Sequence, residues 1–199
     1  MGAHHHHDEL THNRQVLWVA LLLNTTMFVL ELWQGIMAGS TALIADSMDF
    51  LSDAFSYIIT MFVLTKPLSV RAKASLTKAF IMLLLAAAAL AQGGYNLWLG
   101  RIPEYTTMGW VAVLALIANL ATAFLLYSTR NQDSNMRSIW LCSRNDAITN
   151  VAVMVAAGLV YATGTLWPDL IVALIIAWLG VSAAVEIIGH ARKELRQPR

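Results

Sequence analysis

Long apolar stretches recur along almost the whole chain, and they constrain its fold more than any other feature. A helix needs about 20 residues to cross the hydrocarbon core of a bilayer. Six stretches reach that length, at residues 16–38, 41–64, 76–99, 107–128, 138–162 and 168–190. Short segments that contain Gly, Pro, Asn and Ser separate them. The pattern predicts an all-α integral membrane protein with six transmembrane helices.

The composition supports a lipid environment and excludes several classes of protein. Hydrophobic residues make up 58% of the chain and charged residues 13%, whereas soluble domains average about 45–50% and 25%. A water-soluble globule of this size would have too little polar surface to cover its core. The net charge of +1 gives no electrostatic basis for binding nucleic acid. The single cysteine excludes an intramolecular disulfide.

The distribution of basic residues predicts the orientation in the membrane. An even number of spans places both termini on one side of the membrane. Of the basic residues near the ends of the spans, Arg101 falls at the opposite face. Basic residues concentrate on the cytoplasmic side, so both termini are predicted to be cytoplasmic. The basic residues on that side are Arg14, Lys66, Arg71, Lys73, Lys78, Arg130, Arg137, Arg192, Lys193, Arg196 and Arg199.

Three regions follow from these bounds. Residues 1–15 form a His-rich cytoplasmic segment, residues 16–190 the six-helix transmembrane domain, and residues 191–199 a short basic cytoplasmic tail. Residues 4–7 are all His, and imidazole groups collect transition-metal ions. The same run also fits a fragment of a purification tag, since Met1-Gly2-Ala3 resembles a cloning start. Both interpretations stay open.

Carboxylates inside the second predicted span are the most informative polar residues. Asp46, Asp49 and Asp53 lie at i, i+3 and i+7, so they share one helical face. A charged side chain inside the bilayer costs about 2.5–3.5 kcal/mol on insertion scales. Three anions can coexist there if some are protonated, if a basic group pairs with them, or if a cation binds between them.

The fifth predicted span offers a second polar face, where Cys142 and Asp146 lie at i, i+4. Together with Asp49 and Asp53 they could close a four-coordinate shell of three oxygens and one sulfur. A thiolate favours zinc or cadmium over magnesium or calcium. The structural alternative is a hydrogen bond from each acid to a neighbouring helix, with Cys142 as a small packing residue.

Other polar residues of the spans have supporting roles in this interpretation. Asp46 and Asn150 are candidates for supporting or alternative ligands. Glu31 is expected to be a hydrogen-bonded group between helices. Arg144 lies about 200° from Cys142 around the helix, so it is expected to point away from the site.

The segments GSTALIADSMDFLSD at 39–53 and SRNDAITN at 143–150 resemble the cation diffusion facilitator family. The resemblance implies six transmembrane helices with cytoplasmic termini, a homodimer, and export of divalent metals, mostly in exchange for protons. It also implies a site built from His/Asp-x-x-x-Asp motifs on the second and fifth helices. Here Asp49 and Asp53 match the first motif, and Asp146 ends the second. Cys142 departs from the family pattern, and the family's usual C-terminal cytoplasmic domain is not among these 199 residues.

The expected function is therefore transport, not enzymatic catalysis, in a bacterial-type cytoplasmic membrane. The expected substrate is Zn²⁺ or Cd²⁺, with Co²⁺, Fe²⁺ or Mn²⁺ as further candidates, moved by proton antiport with alternating access. The expected partners are metal ions, protons and lipid, without nucleic acid or an organic cofactor. One alternative is a proton-coupled carrier of small organic cations. Another is an intramembrane aspartyl protease, although no Asp here follows Gly as in the Gly-x-Gly-Asp motif of those enzymes.

Overall fold

The computed structural model of the chain describes residues 2–63, 67–128 and 134–196. Six helices account for nearly all of these residues, and a π-helical segment, Ile59–Val63, continues the second. Each predicted span lies on one helix, which confirms the all-α architecture. The helices are α1 (Gly2–Ala38), α2 (Thr41–Ile58), α3 (Leu68–Leu99), α4 (Tyr105–Tyr127), α5 (Ser134–Thr163) and α6 (Trp167–Arg196).

Some predictions fall outside the described residues. They concern the end of the second predicted span at Leu64, the basic residues Lys66, Arg130 and Arg199, and the side chains of residues 4–7. The backbone from Gly2 onward is part of α1, so the predicted N-terminal segment and the first span form one helix. The division into three regions and the orientation of the termini stay predictions.

Five of the six helices contain segments long and apolar enough to cross a membrane. These are Arg14–Ala38, Ala72–Leu99, Tyr105–Tyr127, Trp140–Thr163 and Trp167–Lys193. The remaining helix, α2, carries three aspartates within its 18 residues. It contacts α1, α3, α5 and α6, and most of its residues are buried. The surrounding helices thus shield the polar face of α2 from lipid, as a charged transmembrane helix requires.

Small residues allow the helices to pack closely. The most extensive helix pairs are α1–α2, α3–α6 and α4–α5. A Cβ atom at Gly35 of α1 would lie 2.9 Å from the Cγ1 atom of Ile44 in α2, so glycine permits this crossing. The central core joins α2, α4, α5 and α6 through Ala42, Met48, Val111, Val153, Ala156 and Ile176.

Polar groups from two helices cap the first turn of α2. Ser40 is the N-cap residue, and its Oγ atom accepts a hydrogen bond of 3.1 Å from the Leu43 amide. The Asp169 carboxylate of α6 accepts hydrogen bonds from Ser40 Oγ (2.6 Å), Thr41 N (2.7 Å) and Ala42 N (3.1 Å). Helix N-termini carry unpaired N–H groups and partial positive charge. Asp169 therefore fixes this end of α2 to α6.

The α1–α2 turn is held at the same end of the bundle. Gly39 has a φ of +68°, and a Cβ atom there would lie 2.8 Å from the Nε atom of Arg101. Arg101 donates a hydrogen bond of 3.1 Å to the Met37 carbonyl, and Asn96 donates one of 2.7 Å to the Gly39 carbonyl. The opposite end of α2 differs, because there the helix widens into the π-helical segment.

Candidate functional site

The four residues predicted as metal ligands line one cavity. It has a volume of about 270 Å³, and its lining residues come from α2, α3, α5 and α6. Asp49 and Asp53 belong to α2, and Cys142 and Asp146 to α5. Further polar groups at the cavity wall come from Ser52, Asn145 and Thr149. We call this space the acidic cavity.

Helical spacing explains why these side chains converge. Asp49 and Asp53 are one turn apart, as are Cys142 and Asp146, and α2 contacts α5 directly. The exposed fraction of these side chains increases from Asp53 to Cys142. Asp53 is 3% exposed, Asp49 and Asp146 are half-buried, and Cys142 is exposed. The cavity is thus lined by carboxylates at different depths.

Two hydroxyl groups fix the carboxylate of Asp53. Its Oδ2 atom accepts hydrogen bonds from the Tyr57 hydroxyl at 3.1 Å and from Ser143 Oγ at 3.0 Å. The two hydroxyl oxygens lie 3.1 Å apart. Tyr57 is one turn from Asp53 on α2, and Ser143 belongs to α5. This network therefore joins the two helices at the depth of the acidic cavity.

The four side chains do not form a ready coordination shell. Among the side chains that the structure describes, no three His, Cys, Asp or Glu groups are arranged to hold a metal ion. Asp53 is directed to its two hydroxyl partners, and neighbouring carboxylates repel each other. The structure brings the predicted ligands to one cavity without gathering their ligand atoms around one point.

Asp46 and Asn150 are not among the residues that line the acidic cavity. Both are buried, with exposures of 1% and 0%. Asp46 lies beside Glu31 of α1 and Thr149 of α5. Among the described residues, the amide of Asn150 and the Oδ2 atom of Asp46 have no hydrogen-bond partner. Direct ligation in the acidic cavity would require these two side chains to move.

Glu31 lies between helices, as expected, beside Asp46 of α2. Its side chain is fully buried. In the described part of the chain, however, neither of its carboxyl oxygens has a hydrogen-bond partner. A pair of adjacent carboxyl groups can share a hydrogen bond when one of the two carries a proton.

Arg144 does not line the acidic cavity, which agrees with its predicted position on another face of the helix. Its guanidinium carbon lies 5.4 Å from the centroid of the Trp140 ring, and its Nη2 atom donates a hydrogen bond of 3.2 Å to Asn145 Oδ1. The side chain is exposed and does not line the acidic cavity.

Three residues near the site were not predicted as part of it. Tyr57 and Ser143 orient Asp53, and Lys78 of α3 donates a hydrogen bond of 2.7 Å to Ser56 Oγ. The charge distribution predicts that Lys78 is one of the basic residues at the membrane face. Its position within the apolar segment Ala72–Leu99 was the signal that could have marked it as functional.

Comparisons with known proteins give a consistent result. The sequence model of a family described as the cation efflux transmembrane domain matches residues 17–195. The metal cation efflux system protein CzcD of Cupriavidus metallidurans is 31% identical over 188 residues, which cover 88% of this chain and 60% of CzcD. The cadmium, cobalt and zinc/H(+)-K(+) antiporter of Bacillus subtilis is 26% identical over 193 residues, with the same coverages of 88% and 60%.

A further relative covers slightly more of both chains. The zinc transporter ZitB of Pectobacterium atrosepticum is 24% identical over 206 residues, which cover 97% of this chain and 64% of ZitB. The chain thus spans about 60% of the length of the relatives that it resembles.

Proposed function

The chain belongs to the cation efflux family, the cation diffusion facilitators, and on this basis we propose that it moves divalent transition-metal ions across a membrane. The family consists of transporters and not of enzymes, which sets aside the aspartyl protease interpretation. The chain is a multi-pass membrane protein. Its bacterial relatives support a location in the cytoplasmic membrane.

The observation that carries the proposal is the acidic cavity, because it is lined by Asp49, Asp53, Cys142 and Asp146. Three carboxylates and one thiolate suit a first-row or softer divalent ion. Zn²⁺ and Cd²⁺ fit this donor set best, with Co²⁺, Fe²⁺ and Mn²⁺ as further substrates. The names of four relatives include zinc, and two of these names also include cadmium and cobalt. An organic cation would gain nothing from the thiolate.

The proposed mechanism is alternating access with proton antiport. Carboxylate and thiol groups bind metal in their deprotonated form, so protons compete with the ion at the same atoms. Asp53 would bind the ion through its Oδ1 atom while Tyr57 and Ser143 hold Oδ2, and protonation of the acids favours release of the ion. The name of the Bacillus subtilis relative includes H⁺ as a coupling ion. The homodimer expected from the family is likewise a proposal for this chain.

Alanine variants of the three acids test the proposal. Asp49→Ala, Asp53→Ala and Asp146→Ala should each abolish zinc-driven proton movement in proteoliposomes, because each removes one anionic ligand. All proteins should lack the histidines at 4–7, which would bind metal on their own. Glu104→Ala is the matched control, since Glu104 is an exposed cap of α4 outside the cavity.

The outcomes separate the competing functions. Transport at the parental rate in any of the three variants would show that the residue is not a ligand. Transport of organic cations that does not depend on Cys142 or on metal would favour the carrier of small organic cations instead.

A further inference from the structure

A second cavity adjoins the acidic cavity. It has a volume of about 400 Å³, and it shares Ser52, Met82, Cys142 and Ala183 with the lining of the acidic cavity. Lys78 of α3 also lines it. The two cavities therefore share one wall, and a cation in the second cavity is close to the acids of the first.

Lys78 is the basic side chain that faces this space. Its Nζ atom donates a hydrogen bond of 2.7 Å to Ser56 Oγ, one turn beyond Asp53 on α2. The ammonium group lies within electrostatic range of Asp53, Cys142 and Asp146. In the described part of the chain, however, no ion pair joins it to an acid. The neutral hydroxyl group of Ser56 thus holds the ammonium group of Lys78 next to a cavity whose carboxylates attract cations.

Solvation energy makes this arrangement costly unless the charge is compensated. A lysine ammonium inside a membrane domain needs anionic or polar surroundings. The carboxylate that lines the second cavity, Glu186, has an exposed side chain. The acids of the acidic cavity therefore provide much of the compensating field, and that field is the same one that attracts a divalent ion.

We propose that Lys78 is a tethered competitor of the transported ion, whose ammonium group partly neutralises the acidic cavity and weakens the binding of divalent cations. This inference rests on the proposed transport function. Like charges placed side by side oppose each other strongly in a medium of low dielectric constant. A bound divalent ion is consequently held less tightly and released faster.

Removing the positive charge should change binding and turnover in a characteristic way. Lys78→Gln should lower the KM for zinc by about tenfold, the change that corresponds to 1.4 kcal/mol, and should also lower kcat because release is slower. Lys78→Arg keeps the charge and should restore both values. Lys73→Gln is the matched control, because Lys73 lies on the same helix but is exposed and lines neither cavity.

The hydrogen bond between Lys78 and Ser56 allows a second, independent variant, for which the opposite change in KM is expected. Ser56→Ala keeps Lys78 but removes its hydrogen-bond acceptor, so the ammonium can approach Asp53 and compete more strongly. The KM for zinc should rise. This variant keeps the inference testable if Lys78→Gln does not fold.

Zinc transport in proteoliposomes and zinc titration of the detergent-solubilised protein provide the measurements. A KM that is unchanged or raised in Lys78→Gln, while the parent protein transports zinc, would overturn the role of Lys78 alone. Absence of both zinc binding and zinc transport in the parent protein would overturn the proposed function and this inference together.

Discussion

Asp53 differs from the other acids of the cavity because hydroxyl groups of two helices hold its carboxylate. Tyr57 and Ser143 both donate to its Oδ2 atom. Hydrogen bonds to a carboxylate favour its ionised form and fix its orientation. Asp53 is therefore the acid whose position depends most directly on the contact between α2 and α5.

Removal of one of these donors should weaken metal binding without abolishing it. Ser143→Ala or Tyr57→Phe should raise the KM for zinc about 2- to 10-fold, since one hydrogen bond contributes about 0.5–1.5 kcal/mol net. Ser182→Ala is the control, because Ser182 is an exposed serine that donates only to a carbonyl of its own helix. Zinc uptake by proteoliposomes measures the effect. A lower KM in Ser143→Ala would show that the donor competes with metal for Asp53.

Cys142 should determine the preference between metals. A thiolate favours soft ions and imidazole is intermediate, so Cys142→His should keep zinc transport while weakening cadmium relative to zinc. Removing a residue that hydrogen-bonds to a metal ligand costs about 10–100-fold in metal affinity. Cys142→Ser removes the sulfur ligand itself, so it should weaken the binding of both zinc and cadmium by more than that. Bound zinc should also slow alkylation of the thiol. If Ser and Ala variants keep the parental affinities, Cys142 is a packing residue.

The sequence was sufficient to predict which acids lie close together but not what orients them. Spacing of four residues along a helix places Asp49 with Asp53 and Cys142 with Asp146, and the structure brings both pairs to one cavity. Ser143 adjoins Cys142 in the chain, yet its contact with Asp53 depends on how α2 and α5 are rotated against each other. That rotation comes from packing, which local spacing does not encode.

At the level of helices, the two ends of α2 are held differently. One end is tied to α6 by the three hydrogen bonds that Asp169 accepts. The other end runs into the π-helical segment Ile59–Val63, a conformation that is often found at functional sites. Between them lie Asp49 and Asp53. The acids of α2 thus sit between a well-anchored terminus and an irregular one.

Loss of the anchor should reduce stability more than loss of an exposed helix cap. Asp169→Ala leaves three donors without their acceptor, and each buried donor left unsatisfied costs about 1–3 kcal/mol. Glu104→Ala removes an exposed N-cap, which costs about 0.5–2 kcal/mol. Unfolding in mixed micelles with increasing SDS, followed by circular dichroism, compares the two. Equal stability of both variants would contradict the anchoring role of Asp169.

For the whole molecule, the sequence predicted the number of helices better than their ends. The apolar stretches mark six helices because each must bury its backbone polar groups within the bilayer. The second stretch was identified despite its three aspartates, whose shielding requires the neighbouring helices that the structure provides. The first helix begins at Gly2, well before the apolar residues start. Polar helical extensions of this kind carry no hydrophobic signal.

The predicted orientation can be tested with single cysteines in a Cys142→Ser background. Ile102→Cys lies between α3 and α4, and Ser128→Cys follows α4; both positions are exposed. If the termini are cytoplasmic, a membrane-impermeant maleimide should label Ile102→Cys in intact cells and Ser128→Cys only after the membrane is disrupted. The reverse pattern would place the termini outside, and equal labelling of both would indicate dual insertion.

Because α2 is anchored at Thr41, a tilt of the helix about that residue moves the residues further along it by larger distances. With a rise of about 1.5 Å per residue, Asp49 lies about 12 Å from Thr41 and Asp53 about 18 Å. A tilt of about 10° moves these residues by about 2 Å and 3 Å. Metal–oxygen bonds tolerate a change of about 0.2 Å. A small tilt of α2 would therefore detach Asp49 and Asp53 from an ion bound between them and the two proposed ligands of α5, Cys142 and Asp146.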